Sequence, residues 1–331
     1  MRRLTAACSV ILAITLLLTG CGDDKTPGGG APPSDKVTYV TAFGAVGRDA
    51  FAWVAQEKGY FRDAGIDVTI QLGAATGENL KILAAGKAQF ANLDLTGAWI
   101  LAGKGEYRDV RAIAAIHQQT LVSIISLEGG GVTKPADLQG RKVGAATGSV
   151  NQLLFPAYAK LAAVDPTEVT WVNAPPAQLP ALLAGGRVDA LSTFLIGAKG
   201  LSKAAGGKPT VVLPYSQYLP ELFGNGIVAP LSITRDNPDL ARRFRDAALK
   251  GLQYTLEHPE EAAQIMKKAQ PAADITAAVG EITLMAPYVK PSGVIDRQRV
   301  ATALTTLEKN ELIPPGLTPD AVVDFALAPA S

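Results

Sequence analysis

The chain has 331 residues, of which 48% are hydrophobic and 18% are charged. This composition indicates a folded protein large enough for two domains and excludes a disordered chain. The formal net charge is +1, and no stripe of Lys and Arg interleaved with aromatic residues is present. Nucleic acid is therefore excluded as a partner.

The first 21 residues have the pattern of a bacterial export signal. Arg2 and Arg3 precede an apolar run, 4–18, that is too short to span a membrane comfortably. The run ends in Leu18-Thr19-Gly20-Cys21, which resembles a lipobox, where a lipidated Cys becomes the new N-terminus. We therefore predict a lipoprotein signal peptide at 1–20 and a lipid on Cys21, which would anchor the protein on the extracytoplasmic face of the cell membrane. An ordinary signal peptide with an incidental Cys, or a buried helix, is the alternative.

The cysteines have a consequence for the chemistry of the mature protein. Cys8 lies within the predicted signal and Cys21 would carry the lipid. No thiol then remains for a disulfide, a nucleophile or a metal site. Residues 21–35 are rich in Gly, Pro and charge without apolar periodicity, which predicts a flexible tether.

The first folded segments alternate between strand and helix. "KVTYVTAF" (36–43), "IDVTIQLGA" (66–74) and "AQFANLDL" (88–95) have the alternation and residue types of strands. Between them, 47–65 and 76–87 have helical patterns, with Gly59 and Gly65 placed as left-handed helix stops. The order β-α-β-α-β predicts a parallel sheet covered by helices.

The same order follows a second time. Strands are predicted at 142–146, 168–174 and 188–194, with helices at 149–164 and 176–187. The segment "KILAAGKAQFANLD" (81–94) reads as the end of a helix, a Gly followed by a basic residue, and then a strand, and the segment "ALLAGGRVDALSTF" (181–194) has the same pattern. We call this pattern the repeated corner. Gly47 and Gly86 are 39 residues apart, and Gly148 and Gly186 are 38 apart. The chain therefore contains two similar α/β lobes.

The rest of the chain connects and completes the lobes. Extended segments near 118–124 and 224–230 are predicted to cross between them. From Asn237 the pattern is helical, with Pro238 in a first turn and Pro259 opening a second helix. We predict lobe one at 36–120 plus 228–331 and lobe two at 121–227.

Three segments carry a family resemblance. "WVAQEKGYFRDAGIDVTI" (53–70), "PADLQGRKVGAATGS" (135–149) and "LLAGGRVDA" (182–190) resemble the solute-binding proteins of bacterial ABC importers. Among these solute-binding proteins, the segments are most similar to the branch that binds thiamine-pyrimidine precursors, nitrate, and sulfonates such as taurine. The resemblance covers residues 36–331. It implies a type II periplasmic-binding-protein fold, in which two lobes joined by two strands close on a small molecule. It also implies an ABC permease as partner; we expect a monomer without a cofactor.

The fold predicts where a ligand binds. Ligands of open α/β sheets lie beyond the carboxyl ends of the strands, near helix N-termini, and two facing lobes present two such edges to one cleft. The candidate ligand-binding residues at these edges are Phe43, Arg48, Asp49, Gly77, Glu78, Asp94, Thr96, Gln118, Gly148, Ser149, Asn151, Asn173, Thr193, Phe194 and Asn225.

The ligand itself stays open at this stage. Arg48 is the one plausible cleft cation, whereas Asp49, Glu78 and Asp94 suit an amine-bearing heterocycle stacked on Phe43 or Phe194. The acidic residues favour the heterocycle slightly, although all three carboxylates could face water. The segment "GAVGRDAFAWVAQEKGYF" (44–61) departs from the thiamine-precursor pattern because it lacks a His.

Two other functions share parts of this pattern. Eukaryotic thiamine-pyrimidine synthases are related to the family and use a histidine and a cysteine-rich segment, whereas this chain has only His117 and His258 and no free Cys after Cys21. No catalytic triad, metal-ligand spacing or phosphate loop is visible, so we expect neither catalytic residues nor a metal site. A lipoprotein that senses a ligand for a membrane receptor would share every feature described above.

Overall fold

The computed structural model describes residues 34–330. The predicted signal peptide, 1–20, and Cys21 lie outside the described residues, as does the predicted tether except for its last two residues. The first strand begins at Asp35, one residue before its predicted start. Within 34–330, no helix combines the length and the apolar character needed to cross a membrane.

Short strands alternate with helices along most of this part of the chain. The strands are β1 (Asp35–Val40), β2 (Ile66–Gln71), β3 (Phe90–Asp94), β4 (Val110–Ala115), β5 (Val122–Leu127), β6 (Lys142–Ala145), β7 (Thr170–Asn173), β8 (Ala190–Phe194), β9 (Thr210–Pro214) and β10 (Asn225–Pro230). The helices are α1 (Ala50–Glu57), α2 (Tyr60–Asp63), α3 (Thr76–Ala84), α4 (Leu95–Gly103), α5 (Val150–Leu161), α6 (Leu179–Ala184), α7 (Ala198–Ala204), α8 (Leu231–Thr234), α9 (Pro238–Glu257), α10 (Pro259–Ala269), α11 (Ile275–Met285) and α12 (Arg297–Lys309).

The strands form two five-stranded sheets of matching topology. The order is β2-β1-β3-β10-β4 in lobe one and β7-β6-β8-β5-β9 in lobe two. In lobe one, β1 pairs in parallel with β2 and β3, whereas β10 is antiparallel to both of its neighbours. In lobe two, β6 pairs in parallel with β7 and β8, and β5 is the antiparallel strand. The two-lobed α/β fold is therefore confirmed, with mixed rather than wholly parallel sheets.

The sequence did not predict β4 and β9 as separate strands of these sheets. Each of them pairs with the antiparallel strand that enters its lobe from the other lobe. Without them, β10 and β5 would each expose an unpaired edge. The need for these strands therefore arises from the sheet topology, which local sequence patterns do not report.

Left-handed glycines end the helices at the predicted positions. Gly59 and Gly65 have φ angles of 77° and 71°. In the repeated corner, Gly86 and Gly186 have φ angles of 67° and 65°. A residue without a Cβ adopts this conformation at little cost, so the chain turns from helix to strand in the same way in both lobes.

The C-terminal helices pack on lobe one. Phe244 of α9 stacks on Phe90 of β3 with ring centroids 3.9 Å apart, and it also stacks on Phe61. Pro238 and Pro259 occupy the first turns of α9 and α10. Lobe one is thus built from two distant parts of the chain that share one apolar core.

Two neighbouring crossovers join the lobes. The segment 116–121 leads from β4 to β5, and 215–224 leads from β9 to β10. They are hydrogen-bonded to each other, from His117 N to Asn225 O at 2.9 Å and from Gly224 N to His117 O at 3.1 Å. The predicted lobe boundary at 227/228 falls inside β10, which pairs with lobe-one strands from Asn225 onward.

Arg299 of α12 fastens the crossovers to lobe one. Its guanidinium donates to the backbone oxygens of Gln118 and Glu221 and to Oε1 of Gln118. It also lies over the ring of Phe223 at 4.1 Å. One half-buried side chain from the C-terminal helices therefore contacts both connections between the lobes.

Candidate functional site

A small cavity lies where the carboxyl ends of the strands of both lobes meet. Its lining comprises Ala42, Phe43, Arg48, Ala75, Thr76, Asp94, Ser149, Val150, Asn151, Phe194 and Asn225. Its free volume is about 20 Å³, which is room for about one water molecule. The two lobes are therefore closed on each other, and a solute would be admitted only when they separate.

The repeated corner supplies one wall of this cavity from each lobe. The first copy ends β3 at Asp94 and the second copy ends β8 at Phe194. Both residues line the cavity. Because equivalent strands point their carboxyl ends toward the cleft, one chain pattern used twice places a carboxylate on one side and an aromatic ring on the other.

Arg48 is a buried cation in this cavity. Arg48 is 3% exposed, and its Nε has no hydrogen-bond partner. None of the ion pairs among residues 34–330 includes Arg48. Its guanidinium lies 5.4 Å from the centre of the Phe43 ring and 4.5 Å from that of Phe194. Aromatic rings from both lobes thus contact this cation.

Asp94 begins helix α4 and faces the same cavity. Its Oδ1 accepts a hydrogen bond from Gly97 N at 2.9 Å, whereas its buried Oδ2 has no partner. Burial raises the pKa of Asp94 to about 7, against a smaller opposing effect of hydrogen bonds and of the charge on Arg48. The free oxygen can accept a hydrogen bond from a ligand when ionised and donate one when protonated.

Lobe two contributes unpaired polar groups from the start of α5. Ser149 is the N-cap residue, but its side chain does not cap its own helix. Ser149 Oγ and Asn151 Nδ2 are both buried without partners. The first N–H groups of a helix lack partners within the helix, so this end of α5 offers several donors to the cavity.

A second buried polar group lies behind Arg48. Asp49 Oδ1 accepts hydrogen bonds from Ala42 N at 2.9 Å and from Asn92 Nδ2 at 2.8 Å, and burial raises the pKa of Asp49 to about 6. Sequence analysis did not select Asn92, although an Asn within the otherwise apolar strand β3 is a signal for such a role. His117, on the crossover, is also buried with both ring nitrogens unpaired, and burial lowers its pKa to about 3.

The structure brings some of the predicted site residues together and places others elsewhere. Those in the cavity lining are Phe43, Arg48, Asp94, Ser149, Asn151, Phe194 and Asn225. Sequence analysis did not select Ala42, Ala75 or Val150 as candidates; these small or apolar residues carry no chemical signal, and only the fold brings them to the cavity.

The remaining candidates lie outside the lining. Asp49 lies behind it, and Thr96 donates to Phe223 O. Gln118 donates to the backbone of Pro291 and Val294. Glu78 pairs with Lys81 at the surface, and Asn173 accepts from Gln152.

The last three candidates lie on strands or at the lobe–lobe contact. Thr193 is opposite Ser123 in the sheet of lobe two. A Cβ added to Gly77 would be 3.4 Å from the backbone oxygen of Gly148, so these two glycines are in contact across the cleft.

Other contacts also hold the lobes together. A Cβ added to Gly97 of α4 would lie 2.9 Å from Cβ of Val150 in α5. Lys203 of lobe two pairs with Asp274 of lobe one at 2.7 Å, and Lys160 pairs with Glu311 at 3.4 Å. The closed arrangement thus rests on close helix contact beside the cavity and on exposed ion pairs between the lobes.

Among residues 34–330, neither a cluster of metal-ligating side chains nor a larger surface depression is a better candidate ligand site than this cavity. Across residues 34–330, no group of three or more His, Cys, Asp or Glu side chains is arranged to hold a metal ion. Larger depressions of about 430 to 830 Å³ lie elsewhere on the surface, among them one around Tyr107 and Ser232 and one around Leu249 and Pro287. None of their lining side chains has a buried polar atom without a partner, so the small inter-lobe cavity is the stronger candidate.

Two α/β lobes of this topology, joined by two crossovers and enclosing a polar cavity, define the type II periplasmic-binding-protein fold. Solved structures share it. The periplasmic nitrate-binding protein NrtA from Synechocystis is 16% identical, with a TM-score of 0.72 over 90% of this chain and 88% of that chain. The alkanesulfonate-binding protein SsuA from Xanthomonas axonopodis is 13% identical, with a TM-score of 0.68 over 91% and 99%.

The sequence assigns the family within this fold. The chain belongs to the NMT1/THI5-like family, whose sequence profile matches residues 49–262. It is 26% identical to the formylaminopyrimidine-binding protein of Halalkalibacterium halodurans over 68% of this chain and 67% of that protein. It is also 26% identical to the 4-amino-5-hydroxymethyl-2-methylpyrimidine phosphate synthase of Legionella pneumophila, over 66% and 68%.

Proposed function

We propose that this chain is the extracytoplasmic solute-binding component of an ABC importer. It captures a small organic solute between its lobes and delivers it, chemically unchanged, to a membrane permease. It acts as a monomer, held at the outer face of the membrane by a lipid on Cys21.

One observation carries this proposal: unpaired polar atoms from both lobes converge in one buried cavity. Arg48 Nε and Asp94 Oδ2 come from lobe one, and Ser149 Oγ and Asn151 Nδ2 come from lobe two. Buried polar atoms without partners are costly. A solute that pairs with groups of both lobes offsets this cost only when the lobes are closed, so binding and closure are coupled.

The relatives support the solute classes predicted from the sequence. The similarity to a formylaminopyrimidine-binding protein favours a heterocycle of the thiamine-pyrimidine precursor type. The nitrate- and alkanesulfonate-binding proteins of the same fold support an alkyl sulfonate, taurine or nitrate as the alternative. Phe43 and Phe194 provide flat apolar surface for either type of organic solute.

A synthase is the second candidate because one relative carries that name. The lining of the cavity contains neither His nor Cys, and the chain has no Cys after Cys21. The side chains that meet there are suited to holding a solute by hydrogen bonds and stacking. Capture without chemical change is therefore the function that this cavity supports best.

Calorimetric titration of the full-length chain in detergent tests the proposal. The solutes are aminopyrimidine thiamine precursors, thiamine, taurine, longer alkyl sulfonates and nitrate, each recovered afterwards and analysed by mass spectrometry. We expect one class to bind and to be recovered intact, with Asn151→Ala abolishing binding and Asn173→Ala, outside the lining, leaving it unchanged. Recovery of a converted product would instead support the synthase.

A further inference from the structure

Three arginines surround a depression on lobe one that lies away from the inter-lobe cavity. Arg108 precedes β4, Arg111 lies within it, and Arg235 follows α8. All three line a depression of about 480 Å³, which we call the arginine depression. None of the ion pairs among residues 34–330 includes any of them. Because a guanidinium is permanently charged and presents several N–H groups in one plane, this arrangement is suited to a phosphate.

Main-chain oxygens hold two of these guanidinium groups in place. Arg108 Nε donates to Ala102 O at 3.2 Å. Arg111 Nε donates to Asp320 O at 3.1 Å, and its Nη1 donates to the main-chain oxygens of Arg108 and Val110. Carbonyl groups fix the direction of these side chains without neutralising their charge. The Nη groups of Arg108 and Nη2 of Arg111 have no hydrogen-bond partner within residues 34–330, so they can donate to a ligand.

Like charges face each other in the arginine depression, where Arg111 is half-buried. Burial lowers the pKa of Arg111, and the charge on Arg235 lowers it further, against smaller opposing effects of Asp109 and Asp324. Within residues 34–330, neither Asp forms an ion pair with any of the three arginines. Three cations against two carboxylates leave one positive charge in excess. A bound anion would lower the repulsion between Arg111 and Arg235.

The rest of the lining of the arginine depression is largely apolar. Leu231, Leu317 and Ala321 contribute to it, together with the adjacent Pro314 and Pro315. A free phosphate ion gains nothing from contact with apolar surface, whereas the organic part of a phosphate ester can be buried against it. The lining therefore favours a phosphate joined to an organic group over the free ion.

The sheet topology relates the arginine depression to the predicted membrane anchor. Strand β1 is parallel to β3, and β10 is antiparallel to both β3 and β4, so β1 and β4 run in the same direction. Asp35 and Val110 begin these two strands at one edge of the sheet, three strand spacings or about 14 Å apart. The predicted lipid on Cys21 is fourteen residues before Asp35, which limits its distance from this edge to about 50 Å. A head group of the same membrane is thus within reach.

We propose that the arginine depression binds the phosphate of an anionic phospholipid in the membrane that holds the lipid anchor. This inference goes beyond the proposed function and rests on it only for the anchor on Cys21. The cavity between the lobes lies at the carboxyl ends of the strands, at the opposite edge of the lobe-one sheet. The cleft therefore stays accessible to solute while lobe one contacts the lipid. An excess of one positive charge suits weak, reversible contact, because the protein must leave the lipid to meet its permease.

The first test uses the full-length lipidated chain on vesicles of phosphatidylcholine, with or without phosphatidylglycerol. Amide hydrogen exchange is measured at constant ionic strength in the segments that line the depression, which are 103–111, 231–235 and 314–321. We expect slower exchange in these segments on the vesicles that contain phosphatidylglycerol, because a bound head group excludes water from them. Equal exchange on both kinds of vesicle would overturn the inference.

Arginine variants show whether the depression or the general surface charge attracts the lipid. Arg108→Gln and Arg235→Gln should each weaken binding of phosphatidylglycerol by about fivefold, the contribution of one Arg near an anionic surface. Arg242→Gln is the matched control, since Arg242 is exposed and belongs to none of the ion pairs among residues 34–330. It adjoins Arg243, which bonds Asp35 at the same edge. An equal loss in Arg242→Gln would show diffuse attraction without a site, contrary to the proposal.

Inorganic phosphate, added to the vesicles of phosphatidylcholine alone, separates a lipid head group from the free ion. We expect weaker protection of the three segments than with phosphatidylglycerol, because the free ion gains nothing from the apolar lining. Equal protection would make free phosphate the ligand and overturn the lipid. Solute binding in the calorimetric panel should be the same for wild type and Arg235→Gln, so failure of the lipid site and failure of the proposed function are distinguished.

Discussion

Asp94 and Phe194 lie one hundred positions apart at the ends of equivalent strands, and both line the same cavity between the lobes. The first is a carboxylate that begins helix α4, and the second is a ring that lies 4.5 Å from the guanidinium of Arg48. The repeated corner therefore places two chemically different side chains, a carboxylate and an aromatic ring, at equivalent backbone positions of the two lobes, where both can contact one solute.

Gly97→Ala should hinder closure of the lobes. The new Cβ would lie 2.9 Å from Cβ of Val150 across the cleft, whereas Ala within a helix is otherwise more favourable than Gly. We expect solute affinity to fall by about tenfold, or about 1.4 kcal/mol, and the radius of gyration with solute to increase. Gly197→Ala is the control, since a Cβ there has free space. Equal behaviour of the two variants would contradict the closed contact.

Asp94→Asn should change how stability depends on pH. Burial raises the pKa of Asp94 from 3.8 to about 7, so between these values the folded chain binds more protons than the unfolded chain. The stability of wild type relative to Asp94→Asn should therefore fall as pH rises from about 4 to about 7, by up to about 1.4 kcal/mol per pH unit. Urea unfolding at several pH values measures this difference.

Asp137 provides a control of opposite sign. Hydrogen bonds from Thr133 lower the pKa of Asp137, so its stabilisation is present at neutral pH and is lost as pH falls through the lowered value. The stability of wild type relative to Asp137→Asn should thus decrease toward acid pH. A flat difference for Asp94→Asn across the same range would show that Oδ2 is not desolvated.

Arg299→Ala should loosen the connection between the lobes. Its guanidinium donates to Gln118 and Glu221, at half-buried positions of the two crossovers, and its removal deletes hydrogen bonds to a charged group, which contribute about 1.5–3 kcal/mol. We expect reduced stability and faster hydrogen exchange at 116–121. Arg297→Ala, on the same helix, removes an exposed ion pair with Asp320 and an exposed contact with the Phe325 ring, and it should cost less than Arg299→Ala. Similar losses in both variants would argue against a specific role at the crossovers.

Phe194→Leu should weaken solute binding more than it weakens the fold. The ring of Phe194 contacts Arg48 across the cleft, and loss of a cation–π contact costs about 0.5–2 kcal/mol, or about 2- to 30-fold in affinity. Phe325→Leu removes a similar contact with Arg297 at 4.0 Å, away from the cavity. Calorimetry should therefore separate the two variants, and an equal effect on affinity would contradict the placement of Phe194 in the site.

The sequence predicted the fold well where local chemistry determines the backbone. Gly86 and Gly186 adopt the left-handed conformation that the repeated corner requires, and Pro238 and Pro259 stand in the first turns of their helices. Strands β4 and β9 were missed as sheet members because their role is to cover edges that exist only once the crossovers are in place.

The site was predicted only in part, and for a physical reason. Strand-end reasoning selects Arg48, Asp94 and Phe194 together with Glu78 and Asn173, since all follow strands. It does not specify the direction of a side chain. Glu78 turns to Lys81 at the surface, and Asn173 bonds Gln152.

The sequence alone determined the two-lobed α/β fold, the repeated corner and the family, because periodicity, glycine positions and motif order are local properties of the chain. Only the tertiary structure decided which polar groups share one cavity. Hydrogen bonds within the protein occupy Oδ1 of Asp49 and the side chain of Gln118, while Nε of Arg48 and Nδ2 of Asn151 are buried without partners. Burial and pairing depend on neighbours that are distant in the chain, so no local pattern reports them.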